Sequence, residues 1–188
     1  MRKIVLFMHV SLDGFVAGPN GEMDWINVDE EMFESAGRQT DKSDTALYGR
    51  VTYQMMENYW PTAGDQPNAT KHDIEHSNWY NKVEKIVLSK TLSQPNLSNT
   101  KIIGDNVSNE IIKLKQRAGK DIVIFGSPTA VHSLLTENLI DNYSLFVNSV
   151  LLGQRIPLFK GIKDKINLTL MESKVFSSCV IGLHYERK

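Results

Sequence analysis

The chain has 188 residues, of which 41% are hydrophobic and 23% charged, with a formal net charge of -1. That length suits one domain with a sizeable core, and the balanced charge argues against a nucleic-acid binder, which carries a basic face. The single cysteine, Cys179, excludes an internal disulfide and is expected as a small buried hydrophobe in the last strand. No apolar run approaches membrane-spanning length, and His9 and Asp13 interrupt the N-terminal apolar stretch too early for a signal peptide, so a cytoplasmic protein is expected.

Ile4-Val5-Leu6-Phe7-Met8 is a continuous apolar run, as in a strand buried on both faces. Ser11-Leu12-Asp13-Gly14 turns, and Phe15 to Gly18 leads into the loop signal Pro19-Asn20-Gly21. Asp29 to Arg38 reads as a helix, Thr45 to Tyr48 as a second strand, and Val51 to Glu57 as the start of another helix. Residues 61 to 78 are polar and poorly spaced for an apolar face, so a long surface connection is expected there. Lys85 to Ser89 and Lys101 to Ile103 are further strands. Asn109 to Ala118 is a helix closed by Gly119, Asp121 to Phe125 a strand and Ala130 to Asn138 a helix. Asp141 to Val150 is a strand extended through Leu151-Leu152-Gly153. Ile166 to Ser173 and Val175 to Tyr185 alternate apolar and polar residues, as an antiparallel hairpin does. Strands that alternate with helices and then continue alone imply one α/β domain over residues 1–188, with a mostly parallel sheet and an antiparallel edge.

Three strand-to-helix handovers stand out: Ala46 to Tyr53 around Gly49, Val87 to Lys90, and Val123 to Ala130 around Gly126. A turn that opens a helix presents unpaired N–H groups at the positive end of the helix dipole, which suits phosphate. Three such turns suggest a grip on a long phosphorylated cofactor.

In order, Ser11 to Gly18, Gly49-Arg50-Val51-Thr52-Tyr53, Leu88-Ser89-Lys90, Phe125-Gly126-Ser127 and Leu152 to Phe159 resemble the dihydrofolate reductase superfamily. The last block is especially similar to its RibD C-terminal branch, the reductase part of a riboflavin-synthesis deaminase-reductase. The resemblance covers essentially the whole chain; no deaminase zinc signature is present. It implies a dihydrofolate reductase-like mixed sheet flanked by helices, NADPH as cofactor, and hydride transfer to a pterin-like, pyrimidine or related heterocycle. On it, Gly49, Arg50 and Thr52 hold the pyrophosphate, where Arg50 supplies charge-assisted donors and Gly49 a close backbone approach. Ser89 and Lys90, after Leu88, take the adenosine 2′-phosphate. Gly126, Ser127, Thr129 and Ala130 form the third turn, in which Ser127 stands where many relatives have a second glycine. Val16, Ala17 and Gly18 border the nicotinamide, and His9, Asp13, Trp25 and Asn148 are placed near the substrate.

Hydride reduction of a C=N or C=O bond also needs a proton, which a carboxyl of raised pKa can supply. The resemblance points to an acid soon after Trp25: alignment on Phe33 selects Asp29, and ungapped counting selects Glu30. The plain alternative is an acidic first helical turn that favours the dipole. Trp60, Trp79 and Met55 read as core or pocket wall. His72-Asp73-Ile74-Glu75-His76 fits the H-x-x-E-H pattern of zinc peptidases, but it has few apolar neighbours and no third ligand, so a zinc hydrolase is the minor alternative and a polar surface helix the plain one. A cofactor-binding module without turnover is a third class. The branch also implies a homodimer, with the terminal hairpin as interface.

Overall fold

The computed structural model describes residues 1–92 and 99–188. Parallel strands β1 (Ile4–Ser11), β3 (Ser43–Gly49), β4 (Glu84–Leu88), β5 (Thr100–Ile103), β6 (Asp121–Phe125) and β7 (Asn142–Asn148) form most of an eight-stranded sheet. The hairpin β9 (Leu168–Val175) and β10 (Ile181–Arg187) completes it, with β10 antiparallel to β7. The order is β5-β4-β3-β6-β1-β7-β10-β9, and β2 (Phe15–Ala17) pairs separately with β8 (Ile156–Pro157). This is the mixed, mostly parallel sheet with an antiparallel C-terminal hairpin that the sequence implies.

Side-chain alternation divides the interior into two cores, one on each face. Leu6, Leu47, Ile86 and Ile124 meet α4 (Val107–Gln116) and α5 (Pro128–Thr136) through Ile111, Leu114, Val131 and Leu134. Phe7, Tyr48, Val87 and Phe125 point the other way, toward Met32 of α1 (Glu30–Asp41), Tyr53 of α2 (Arg50–Ala63) and Tyr80 of α3 (Lys71–Lys82). Each fully buried Leu or Ile contributes ~1.5–3 kcal/mol, which is why the central strands read as unbroken apolar runs.

The N-terminal ends of the strands are tied by charge. Arg2 pairs with Asp44 and donates to Thr45 Oγ1, and Lys115 Nζ lies 2.6 Å from Asp141 Oδ2. The opposite, carboxyl ends are left open, the edge at which sheets of this kind accept ligands.

Three expectations need correction. Residues 61–78 are no long surface connection: α2 runs to Ala63 and α3 begins at Lys71. The missed signal is the capping box at Thr70, whose hydroxyl accepts from Asp73 N–H at 3.2 Å while Asp73 accepts from Thr70 N–H at 2.9 Å. The sixth strand of the reading ends at Asn148, because the chain turns back and Leu152 and Gly153 donate their N–H groups to Asp13. The hairpin turn lies at 176–180, where Phe176 and Val180 are buried, and Cys179 is exposed in that turn with φ +61° instead of buried in the strand.

Candidate active site

Along the carboxyl edge runs a cleft of about 820 Å³. One half lies where β4, β3 and β6 hand over to loops and helices. Gly49 is the N-cap of α2 and Ser127 that of α5, and neither helix has a side-chain cap hydrogen bond. By contrast, α1 and α3, whose starts lie away from this half, are capped by Asp29 and Thr70. The start of α4, N-capped by Asn106 without a side-chain hydrogen bond, also reaches the cleft through Val107, so the orphan N–H groups that every helix start carries are left for a ligand at three cleft-lining starts. Arg50 adds a guanidinium, with its Nη1 only 3.4 Å from Gln54 Oε1 on the exposed side.

The turns are joined to one another. Ser127 Oγ accepts from Gly49 N–H at 2.9 Å. Gly126 and Ser127 both have left-handed backbones, φ +59° and +60°. Serine in that region costs ~1–2 kcal/mol relative to its usual conformation, and its hydrogen bond to Gly49 offsets much of that. On the far side, Ser89 Oγ accepts from Thr91 and Leu92 N–H groups, and Lys90 Nζ sits 3.5 Å from Asp105 Oδ1 in the open. Gly104 follows β5, and a side chain there would press on Ser89 O at 3.1 Å. The donor set fits a phosphorylated dinucleotide: uncapped helix starts, one guanidinium, one ammonium and several hydroxyls.

The other half is apolar and aromatic. Phe7 and Phe146 pack at 4.7 Å between ring centroids, Phe7 and Phe125 at 5.3 Å, Trp60 and His76 at 4.0 Å, and Phe33 and His72 at 4.3 Å. Met23, Met32, Met55 and Met56 fill the remainder. His9 stacks on Phe146 at 5.2 Å. Burial lowers the His9 pKa to about 4, and burial aided by the neighbouring His72 lowers that of His76 to about 3, so both are neutral at pH 7.

Among the residues expected on the cofactor side, Val16, Ala17, Gly49, Arg50, Thr52, Leu88, Ser89, Lys90, Gly126, Ser127, Thr129 and Ala130 all line this one cleft. Gly18 does not; its N–H donates to Glu22 O and the Glu22 carboxylate packs against its Cα. Of the substrate-side set, only His9 lines the cleft. Asp13 is held by Ser11 Oγ and the Leu152 and Gly153 N–H groups, a brace between two loops. Trp25 donates its indole N–H to Glu22 O. Asn148 is fully buried behind His9.

The proton-donor expectation meets a different geometry. Neither Asp29 nor Glu30 lines the cleft. Burial pushes the Asp29 pKa up, but hydrogen bonds from Ser178 N–H, Met32 N–H and the Ser177 hydroxyl outweigh it and bring the value to about 2. Asp29 is thus an ionised helix cap, and Glu30 is exposed in the first turn. The H-x-x-E-H segment lies on α3, a helix with an exposed face that carries Ile74 and Glu75, but His76 is turned inward and buried against Trp60, Trp79 and Phe125; among the described residues no three His, Cys, Asp or Glu side chains are placed to hold a metal ion. Trp60 and Met55 are pocket wall and Trp79 packs against the core, both within the expectation of core or pocket wall. Sequence reasoning missed Gly104 and Val107, although the glycine after Ile103 repeated the handover signal.

Comparison with known proteins agrees with this architecture. The chain is 36% identical over 188 residues to the uncharacterized protein YyaP of Bacillus subtilis (strain 168), covering 98% of this chain and 94% of that one. Its fold is similar to that of a candidate riboflavin biosynthesis protein of Shewanella sp. PV-4, with a TM-score of 0.73, 21% identity and 99% of each chain covered. It is also similar to a pyrimidine reductase-like protein of Corynebacterium diphtheriae, with a TM-score of 0.71, 15% identity, and 100% and 92% covered. Residues 2–181 match the RibD C-terminal domain, and the chain belongs to that family.

Proposed function

We propose that this protein is an NADPH-dependent reductase that transfers a hydride to a planar heterocycle of the pterin or pyrimidine class. The observation that carries the reading is the convergence of two uncapped helix starts, Gly49-Arg50 and Ser127-Pro128, with Ser89-Lys90 on the dinucleotide half of one cleft whose other half is aromatic. Arg50 and the α2 start would hold the pyrophosphate, and Thr129 with the α5 start would support it. Lys90 would leave Asp105 for a 2′-phosphate, which gives preference over NADH. Such a cofactor supplies a hydride to an electrophilic carbon; Val16 and Ala17 line the same cleft as His9 and, as buried apolar groups, would help keep water from the transfer. The riboflavin-pathway reduction of a phosphoribosylamino-pyrimidine is the family's own instance of that chemistry.

Titration of the purified protein with NADPH and with NADH, followed by tryptophan quenching, tests this. NADPH binding about tenfold or more tighter than NADH supports the reading; binding of neither removes it. One observation favours a second reading, a cofactor-binding module without turnover: among the described residues no carboxyl lines the cleft. Oxidation of NADPH by the pyrimidine substrate separates the two. A homodimer through the exposed apolar residues Leu170, Met171 and Val175 of edge strand β9 is part of the proposal; a monomer mass by light scattering would remove that part.

A further inference from the structure

Two features of the substrate half say what it accepts. The first is charge. Among the described residues, the cations that line the cleft are Arg50 and Lys90, and both stand at the strand-to-helix turns of the dinucleotide half. The wall opposite is built from Phe33, Met55, Met56, Trp60 and Phe146, with imidazoles as its polar groups. The residues outside the described set, 93–98, include no Lys, Arg or His. A phosphate placed against this wall would lose its hydration and find no cation to offset its charge, which is among the costliest burials a site can impose.

The second is the hydrogen bonding of His9. Asn148 is fully buried, and both ends of its amide are committed: Oδ1 accepts from Asn27 N–H at 3.0 Å and Nδ2 donates to Phe146 O at 3.0 Å. The second Nδ2 proton points to His9 Nδ1 at 3.3 Å. Nδ1 must then accept, so the ring proton sits on Nε2. Nε2 has no partner among the described residues, and the ring lines the cleft on top of Phe146. Burial holds the ring neutral, with the pKa lowered to about 4. The result is a fixed, uncharged N–H donor in an aromatic wall, with Asn148 as its positioning residue.

Resting on the reductase reading above, we propose that the substrate is an uncharged, planar conjugated ring without a phosphate, whose ring carbonyl or imine acceptor takes a hydrogen bond from His9 Nε2–H. Donation there polarises the C=O or C=N bond; the hydride of NADPH goes to its carbon, leaving NADP+, and the heteroatom takes its proton from solvent water, while the flat ring packs against the aromatic wall that includes Trp60. The site would thus differ from a phosphoribosylamino-pyrimidine reductase in the part of the molecule it grips.

The test uses protein saturated with NADPH and two probes, 5-amino-6-(5-phosphoribosylamino)uracil and the same compound after phosphatase treatment. The phosphate-free probe should bind about tenfold or more tightly than its parent. The His9→Phe variant, which keeps the stacking and loses the donor, should lose about tenfold in affinity for that probe. The His9→Gln variant restores an N–H and should recover most of it; thermal melts establish that both are folded. Tighter binding of the phosphorylated probe, or His9→Phe binding as well as the parent protein, overturns the proposal. So does failure of both probes to bind while NADPH binds, which leaves the reductase reading in place. Loss of NADPH binding itself is the distinct failure of that reading.

Discussion

Asp29 separates a structural carboxylate from a proton donor in a single experiment. Its carboxylate accepts three hydrogen bonds, from Met32 N–H at 2.9 Å, Ser178 N–H at 3.0 Å and the Ser177 hydroxyl at 2.9 Å. The first caps α1; removing such a cap costs ~1 kcal/mol. The other two tie α1 to the β9–β10 turn, and an unsatisfied Ser178 N–H adds ~1–2 kcal/mol. Asp29→Ala should therefore destabilise by about 2–3 kcal/mol and lower Tm by about 5–10 °C for a chain of this size. Asp29→Asn keeps an acceptor and the cap, so it should cost ~1 kcal/mol or less. The folded pKa of about 2 lies below the ordinary 3.8. The charge-dependent part of this stability is thus fully present above pH 3.8 and is lost as the pH falls through about 2. At pH 7 the group holds no proton to give. With whichever pyrimidine is reduced, Asp29→Asn should retain kcat within about threefold, whereas removal of a true general acid costs ~10²–10⁴-fold. A hundredfold loss of kcat in Asp29→Asn with Tm unchanged would refute the structural assignment.

Ser127→Gly should change stability by less than ~1 kcal/mol, because relief of the left-handed serine offsets the lost hydrogen bond to Gly49; chemical denaturation measures it, and a loss above about 3 kcal/mol would mean the bond matters far more than its geometry indicates. Thr70→Ala breaks the capping box of α3 and should cost ~1–2 kcal/mol, seen as a lower Tm with NADPH affinity kept. His9 and His76 have folded pKa values of about 4 and about 3, below the ordinary 6.5. Their neutral burial supports the fold above pH 6.5, and stability falls as the pH drops from there toward those values, by up to ~1.4 kcal/mol per unit for each. Urea unfolding of the His76→Gln variant between pH 7 and 5 should show a shallower decline; an identical slope would count against the assignment. Lys90→Ala should weaken NADPH more than NADH, because Lys90 is the exposed cation beside Ser89; equal losses for both would place the 2′-phosphate elsewhere.

Much of this protein is legible in the order of its residues. Continuous runs such as Ile4 to Met8 and Ile122 to Phe125 read as doubly buried strands, and the glycine handovers at Gly49 and Gly126 marked the edge along which the cleft runs, because a backbone that must turn and expose N–H groups constrains residue type locally. Those signals are short-range, and short-range physics decides them. The aromatic half of the cleft was not legible for the same reason. His72 and His76 sit in a segment that is polar by composition, and only the packing of α3 on α2 and α1 turns them into a wall with Trp60 and Phe33, in which His76 is buried and His72 half-buried. Asp29 offers the same carboxyl to either role, and its N-cap geometry with the distant Ser177 and Ser178 determines its pKa. Asn148 lies 139 residues from His9, yet it sets which nitrogen of that ring bears the proton. Residue type and spacing determine where the backbone turns and which faces are buried; tautomer, charge state and pocket chemistry depend on partners that only the folded chain brings within hydrogen-bonding distance.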